Sequence, residues 1–285
     1  MSGIRRVAIF GSAGQLGTDL VAAFRRDYRF EVIPLSHHDV DCTNADQVCD
    51  VMRRVRPDVG INSAAYVRVD ECENRMREAF EVNAIGALNI ARGCAEVHSL
   101  CVYISTDYVF DGEKAAPYLE SDPTCPINVY GASKLAGEFL VRQTSPRWLI
   151  VRAASLFGRT GSRGKGGNFV ETILKKAKSG EPLKIVHDVR MSPTYTCDAA
   201  AGLVGLVESE ISGVIHLSND GACSWYEFAR HALEITGVRT SIIPISSTEY
   251  ATVARRPKNS ALESEHSPLK LRSWQDALKA YLNEK

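Results

Sequence analysis

A surplus of charge of either sign is missing from this chain: 34 Asp and Glu are balanced by 34 Lys and Arg, for a formal net charge of zero. That argues against a general attraction to nucleic acid or to an anionic membrane surface, leaving only local basic patches. No apolar run reaches the roughly 20 residues of a membrane span. The apolar stretch over residues 4–10 is too short for a signal-peptide core and leads straight into a glycine turn. Eight cysteines occur, at 42, 49, 72, 94, 101, 125, 197 and 223, yet none forms a Cys-x-x-Cys pair or a Cys/His metal spacing. Most fall inside apolar patterns, so the expectation is buried free thiols, a reducing cytoplasm and no metal. Internal repeats and low-complexity linkers are absent as well.

What remains is 285 residues of ordinary globular composition, 45% hydrophobic, enough for a large core and a smaller second lobe. The first half alternates short β-rich runs with helical patterns. Strands are expected over 7–10, 31–35, 59–62, 101–105 and 148–151, and helices over 16–26, 45–55, 75–97 and 130–143. That alternation implies an α/β fold, a doubly wound parallel sheet of Rossmann type, over residues 1–152. After Arg152 the rhythm changes. A turn-rich basic loop over 160–167 precedes a helix at 169–179, short strands near 183–186 and 214–217, and helices near 199–207 and 225–236. Residues 153–285 are expected to form a smaller α/β substrate-binding lobe, with some elements returning to the main sheet. Ligands of such sheets bind beyond the carboxyl ends of the strands.

Gly11-Ser12-Ala13-Gly14-Gln15-Leu16-Gly17 follows the first strand and opens the first helix. Glycines there permit close approach of a pyrophosphate to backbone N–H groups at a helix N-terminus, so a dinucleotide site is favoured over a plain tight turn. The acidic residue that usually holds an NAD ribose is missing from the end of the second strand, which reads Leu35-Ser36-His37-His38 with no carboxylate before Asp39. Ser36 and the two imidazoles suit a 2′-phosphate, favouring NADPH with NADH as the alternative. The histidines are equally well read as solvated loop residues. Asp41 is placed either to accept from the adenine amine or to cap the next helix. Small residues in Asn62-Ser63-Ala64-Ala65-Tyr66 let a cofactor lie against the strand ends.

Tyr130 and Lys134, four residues apart, share one helix face. A phenol with a pKa of about 10 keeps its proton at neutral pH, and a neighbouring ammonium is expected to lower that value and make a better acid. Such a pair suits protonation of a carbonyl oxygen while hydride arrives at the carbon. Thr106 can hydrogen-bond the reacting oxygen or the Tyr130 hydroxyl. Asp107 is either a sugar ligand or a turn cap.

Together these residues resemble the extended short-chain dehydrogenase/reductase family, and within it the dTDP-4-dehydrorhamnose reductase branch. The likeness runs through residues 11–17 and 62–65, Val69-Asp70-x-x-Glu73, Ser105-Thr106-Asp107-Tyr108-Val109-Phe110 and residues 128–138. It continues at Asn168-Phe169, Pro193-Thr194, Trp225-Tyr226 and Ala254-Arg255-Arg256-Pro257-x-Asn259-Ser260. The resemblance implies an NAD(P)H-dependent oxidoreductase that gives hydride to the C4 ketone of a dTDP-linked 6-deoxy-hexulose, forming dTDP-L-rhamnose. By position, Tyr130 would be the proton donor, and Lys134 would hold the nicotinamide ribose and lower the phenol pKa. Thr106 and Asp107 would touch the sugar, and Gly14, Gln15, Leu16, Asp41, Ala64, Ala65 and Tyr66 would line the cofactor. A homodimer is a further implication.

Two departures stand out. Family members place a tryptophan against the substrate shortly after the strand ending at Arg152, where this chain has Ser155. Some members bind magnesium through glutamates at a dimer interface; Asp19 is the nearest match to one of them and the others have no placeable counterpart, so no metal is expected. Arg163 and Lys165 are candidates for a diphosphate, or simply a solvated basic loop. Two other activities share these strings. One is the non-catalytic regulatory subunit of methionine adenosyltransferase. The other is a sugar-nucleotide dehydratase or epimerase; dehydratases use an adjacent Asp-Glu pair where this chain has Asp107-Tyr108.

Overall fold

A computed structural model describes residues 4–160, 167–180 and 182–284. The chain opens with β1 (Arg5–Phe10), α1 (Gln15–Arg25), β2 (Phe30–Leu35), α2 (Ala45–Val55) and β3 (Val59–Asn62). It continues through α3 (Val69–Asn74), α4 (Met76–Phe80), a π turn (Glu81–Ile85), α5 (Gly86–Glu96) and β4 (Leu100–Thr106). A 3₁₀ turn (Asp107–Val109) is followed by α6 (Val129–Thr144), β5 (Trp148–Ala153) and β6 (Leu156–Phe157). Then come α7 (Phe169–Lys178), β7 (Leu183–Val186), β8 (Arg190–Met191), β9 (Thr194–Tyr195) and α8 (Thr196–Glu208). The last elements are β10 (Gly213–His216), β11 (Cys223–Ser224), α9 (Trp225–Thr236), β12 (Ile242–Ile245) and α10 (Trp274–Asn283).

Six strands form one parallel sheet in the order β2-β1-β3-β4-β5-β10. Successive residues of each strand feed opposite faces, as the pleat requires. Val7 and Ile9 pack with Leu16, Leu20 and Phe24 of α1 and with Leu203 and Leu206 of α8. Ala8 and Phe10 pack with Val48 and Met52 of α2 and with Ile90 and Cys94 of α5. Cover on both faces is why the strands read as unbroken apolar runs. The sheet edge is completed from the C-terminal half: β10 pairs with β5, matching the expectation that later elements return to it.

The strands and helices expected from the sequence are present, with one informative exception. The helix expected over 75–97 is instead α4, the π turn and α5. The wider turn carries Asn83, which is fully buried. Its Oδ1 accepts from Tyr66 N at 2.8 Å, and its Nδ2 donates to Ser133 Oγ at 2.9 Å. A regular helix would break that link between the loop after β3 and α6.

Beyond the sheet, α7, α9, α10 and the β7–β12 pair enclose two further cores. One gathers Phe157, Tyr195, Phe228, Trp274 and Tyr281; the other gathers Ile173, Leu183, Ile185 and Leu233. Helix α10, which the sequence pattern does not bring out, supplies Trp274, Leu278 and Tyr281 to the first of these.

Candidate active site

The strand order reverses between β1 and β3, and their carboxyl ends lie side by side, Phe10 opposite Asn62. This is the switch point where ligands of doubly wound sheets bind. Gly11 turns the chain there with φ +74°, and a Cβ on it would lie 2.6 Å from Ala64 N. A Cβ on Gly17 would lie 2.1 Å from the Gly11 carbonyl oxygen. Glycine is therefore required at both positions to keep the turn thin. Helix α1 begins on Gly14 with no side-chain cap and no acidic residue in its first turn, so its positive end is not neutralised locally. Gln15 Nε2 is buried without a partner, a costly state for a donor. A thin turn, an uncapped helix end and an unsatisfied amide fit the diphosphate of a dinucleotide. The Leu16 side chain is buried in the core beneath this turn.

At the end of β2, the Ser36 hydroxyl donates to Asp39 Oδ2 at 2.6 Å, and Ser36 N donates to the same oxygen at 2.8 Å. These bonds hold the Asp39 carboxyl below its ordinary pKa. His37 and His38 are exposed. Asp41 accepts from Thr43 N and Thr43 Oγ1, whereas the cap of α2 is Asn44. Capping thus falls to the neighbour, not to Asp41.

Asn128 caps α6, accepting from Gly131 N at 2.8 Å, so that Tyr130 and Lys134 fall in the first turns of the helix. Tyr130 is half-buried, with the Tyr108 ring edge-on at 6.0 Å. Burial pushes the phenol pKa up, and the Thr106 hydroxyl, its hydrogen-bond partner, works the other way. Lys134, the group expected to lower it, is held by β4. Its Nζ donates to the Ile104 carbonyl at 2.7 Å and lies 4.0 Å from the Tyr103 ring centroid. Burial brings the Lys134 pKa down to about 7, with the Glu138 carboxylate opposing the fall.

Thr106 and Asp107 are buried at the end of β4. The Thr106 hydroxyl donates to Asp107 Oδ1 at 2.9 Å and accepts from Tyr108 N at 3.2 Å, so Thr106 is the cap of the 3₁₀ turn. The turn-cap alternative for Asp107 is thereby taken by its neighbour. Ser155 lies just past β5 in the left-handed region, with φ +42°. Of the remaining candidates, Ala64 N donates to Asn62 Oδ1 and the Tyr66 hydroxyl donates to Glu71. Asp19 is buried against α8, accepting from the Thr196 hydroxyl. Arg163 and Lys165 lie outside the described residues.

Asn83 escapes the motif reading near the site, whereas Asp70 and Arg256 lie in the strings that carry the likeness but were given no role there. Asn83 bridges Tyr66 and Ser133, as above. Asp70 accepts from Ala254 N at 3.0 Å and from Arg256 Nη2 at 2.7 Å, while Arg256 Nη1 reaches the Tyr108 hydroxyl at 3.5 Å. The Arg255 carbonyl also accepts from Asn128 Nδ2. The late Arg-Arg-Pro string thus straps the start of α6.

A proton donor with an adjacent hydroxyl, and a dinucleotide-shaped turn at the switch point, have recognisable relatives. The chain is 38% identical over 283 residues to the spore coat polysaccharide biosynthesis protein SpsK of Bacillus subtilis (strain 168), covering 98% of each. It is 35% identical to a dTDP-4-dehydrorhamnose reductase of Escherichia coli (strain K12), covering 98% of this chain and 97% of that one. In structure it resembles a dTDP-4-dehydrorhamnose reductase from Bacillus anthracis str. Ames in complex with NADP, with a TM-score of 0.94, 36% identity and 99% of each chain covered. The family model described as RmlD substrate binding domain matches residues 5–285, and the chain belongs to that family.

Proposed function

We propose that this chain is an NADPH-dependent reductase of the C4 ketone of a nucleotide-linked 6-deoxy-4-keto sugar, with a dTDP-4-dehydrorhamnose reductase activity giving dTDP-L-rhamnose. The observation that carries the reading is the Tyr130 phenol beside Thr106 at the carboxyl edge of the sheet, opposite a turn fitted to a dinucleotide. Burial keeps the phenol protonated at neutral pH. Bound NADPH supplies hydride to the carbon. Tyr130 donates its proton to the ketone oxygen, completing the alcohol. Thr106 orients that oxygen, and Asp107 and Ser155 contact the sugar. Lys134 holds the nicotinamide ribose. The backbone of Gly11, Gly14, Gln15, Leu16 and Gly17 receives the diphosphate, while Ser36, Asp41, Ala64, Ala65 and Tyr66 line the rest of the cofactor. NADH is the slower alternative.

In this reading residues 1–152 bind the cofactor and residues 153–285 close on the sugar. The enzyme works in the cytoplasm, in keeping with free cysteines throughout the described residues, and as a homodimer. Sedimentation of the purified protein tests the last point. No described helix is long and apolar enough to cross a membrane.

The test is NADPH oxidation measured against a panel of nucleotide-linked 4-keto sugars. Turnover confined to 4-keto-6-deoxy substrates is the expected result. No turnover across the panel, together with stoichiometric capture of a methionine adenosyltransferase, would overturn it in favour of a regulatory subunit.

A further inference from the structure

Beneath the catalytic helix lies a buried ion pair that the proposed chemistry does not use. Glu138, one turn after Lys134 on α6, is 3% exposed, and Arg152 on β5 is 5% exposed. Arg152 Nε donates to Glu138 Oε1 at 3.0 Å and Nη2 donates to Oε2 at 2.8 Å. Ser105 Oγ adds a third bond, to Oε1 at 2.5 Å. The arginine is secured in turn: its guanidinium lies over Phe110 at 5.2 Å, and Nη1 is 3.4 Å from His216 Nε2. His216 Nδ1 faces the carbonyls of Tyr118 and Glu263, at 3.0 and 2.9 Å. Carbonyls only accept, so that nitrogen carries the hydrogen and Nε2 offers its lone pair to Arg152.

Taking two charges out of water is expensive, and apolar side chains would join a helix to a strand at lower cost. The pair's position suggests what it is for. Ile104 and Ser105 are successive residues of β4: the carbonyl of the first holds Lys134, and the hydroxyl of the second holds Glu138. The other titratable groups that face Lys134 are Tyr103 on β4, its ring centroid 4.0 Å from Nζ, and Cys42 after β2, both pushed up by burial and so uncharged at neutral pH. Glu138 is the carboxylate that acts on the ammonium.

We propose that Glu138, held in place by Arg152 and Ser105 one helical turn from Lys134, is a positioning residue that keeps Lys134 charged when the reductase binds its cofactor. The inference rests on the reductase reading for its catalytic half, whereas its electrostatic half stands without turnover.

The experiment titrates Lys134 by NMR with 13Cε-labelled lysine, assigning the resonance by its loss in Lys134→Met, alongside the pH profile of kcat/KM for NADPH. In Glu138→Gln the Lys134 midpoint is expected to fall by on the order of one pH unit. The alkaline limb of kcat/KM should move with it, and Glu138→Asp should restore most of both. Since Glu138→Gln leaves Arg152 unpaired, Glu138→Gln with Arg152→Met serves as a second variant, with the same direction expected. A Lys134 midpoint equal to wild type in a folded variant of either kind overturns the proposal, as does a midpoint that moves while the pH profile stays fixed. If the wild-type protein reduces no keto sugar, the reductase reading alone falls, and the NMR midpoint still decides what Glu138 does to Lys134.

Discussion

Lys134 Nζ donates to the Ile104 carbonyl at 2.7 Å, so without a ligand the ammonium is satisfied by β4 and not by the tyrosine one turn away. The folded-state pKa of about 7 lies below the ordinary lysine value of 10.5. Below pH 7 both states carry the charge, and the folded state bears the full cost of burying it. Between pH 7 and 10.5 the unfolded chain holds a proton that the folded one has released, so the cost fades as pH rises. Lys134→Met should therefore be more stable than wild type at pH 6, by on the order of a few kcal/mol, with the gap closing toward pH 10. Paired thermal melts at the two pH values check this; a gap that does not change with pH contradicts it.

Tyr130→Phe keeps the ring that meets Tyr108 at 6.0 Å and removes the hydroxyl that carries the proton. We expect kcat to fall by roughly 10²–10⁴, the usual contribution of a positioned acid. NADPH affinity, read by fluorescence titration, should stay within about threefold, because uniform binding is untouched. Wild-type turnover in the variant would show that another group supplies the proton.

Gly17→Ala drives a methyl to within 2.1 Å of the Gly11 oxygen, and backbone on both sides leaves nothing flexible to give way. Overpacking of this kind costs about 1–3 kcal/mol. The predicted outcome is a lower Tm together with lost NADPH binding. Gly14→Ala meets its nearest atom at 3.1 Å and should be clearly milder in both measurements.

Asp39 holds Ser36 through two hydrogen bonds, and those bonds keep it ionised. Asp39 lies four residues past β2 and bonds Ser36, the residue proposed to meet a 2′-phosphate, so its charge opposes that phosphate. Asp39→Asn should raise the ratio of kcat/KM for NADPH to that for NADH by about tenfold, equivalent to about 1.4 kcal/mol. A ratio that stays put would assign cofactor choice to other residues.

Legibility followed the range of each interaction. The glycine turn, the Tyr130–Lys134 spacing and most element positions are local, set by a few neighbouring residues, and were readable along the chain. The π turn was not, because residues 75–97 are periodic enough for one regular helix; the helix is continuous, and the π turn within it carries Asn83, which reaches Tyr66 and Ser133. Asp70 and Arg256 are 186 positions apart, and no spacing pattern joins them. The phenol's raised pKa was likewise hidden, since four-residue spacing says that two side chains share a face and not where their ends point. Ser155 illustrates a subtler gap: its left-handed backbone belongs to the turn after β5 and leaves no mark on its neighbours' composition.

The return of β10 to β5 sets an order of events for a chain emerging from a ribosome. When Ala153 has been made, β5 still lacks its outer neighbour, and α1 lacks α8, since both partners lie in residues 196–216. The nascent first half therefore presents an unpaired strand edge and an uncovered apolar helix while roughly 60 further residues are added, about 3–12 s at ordinary elongation rates. The nucleotide-binding half is thus finished by its successor, and during that interval it is a natural client for a chaperone.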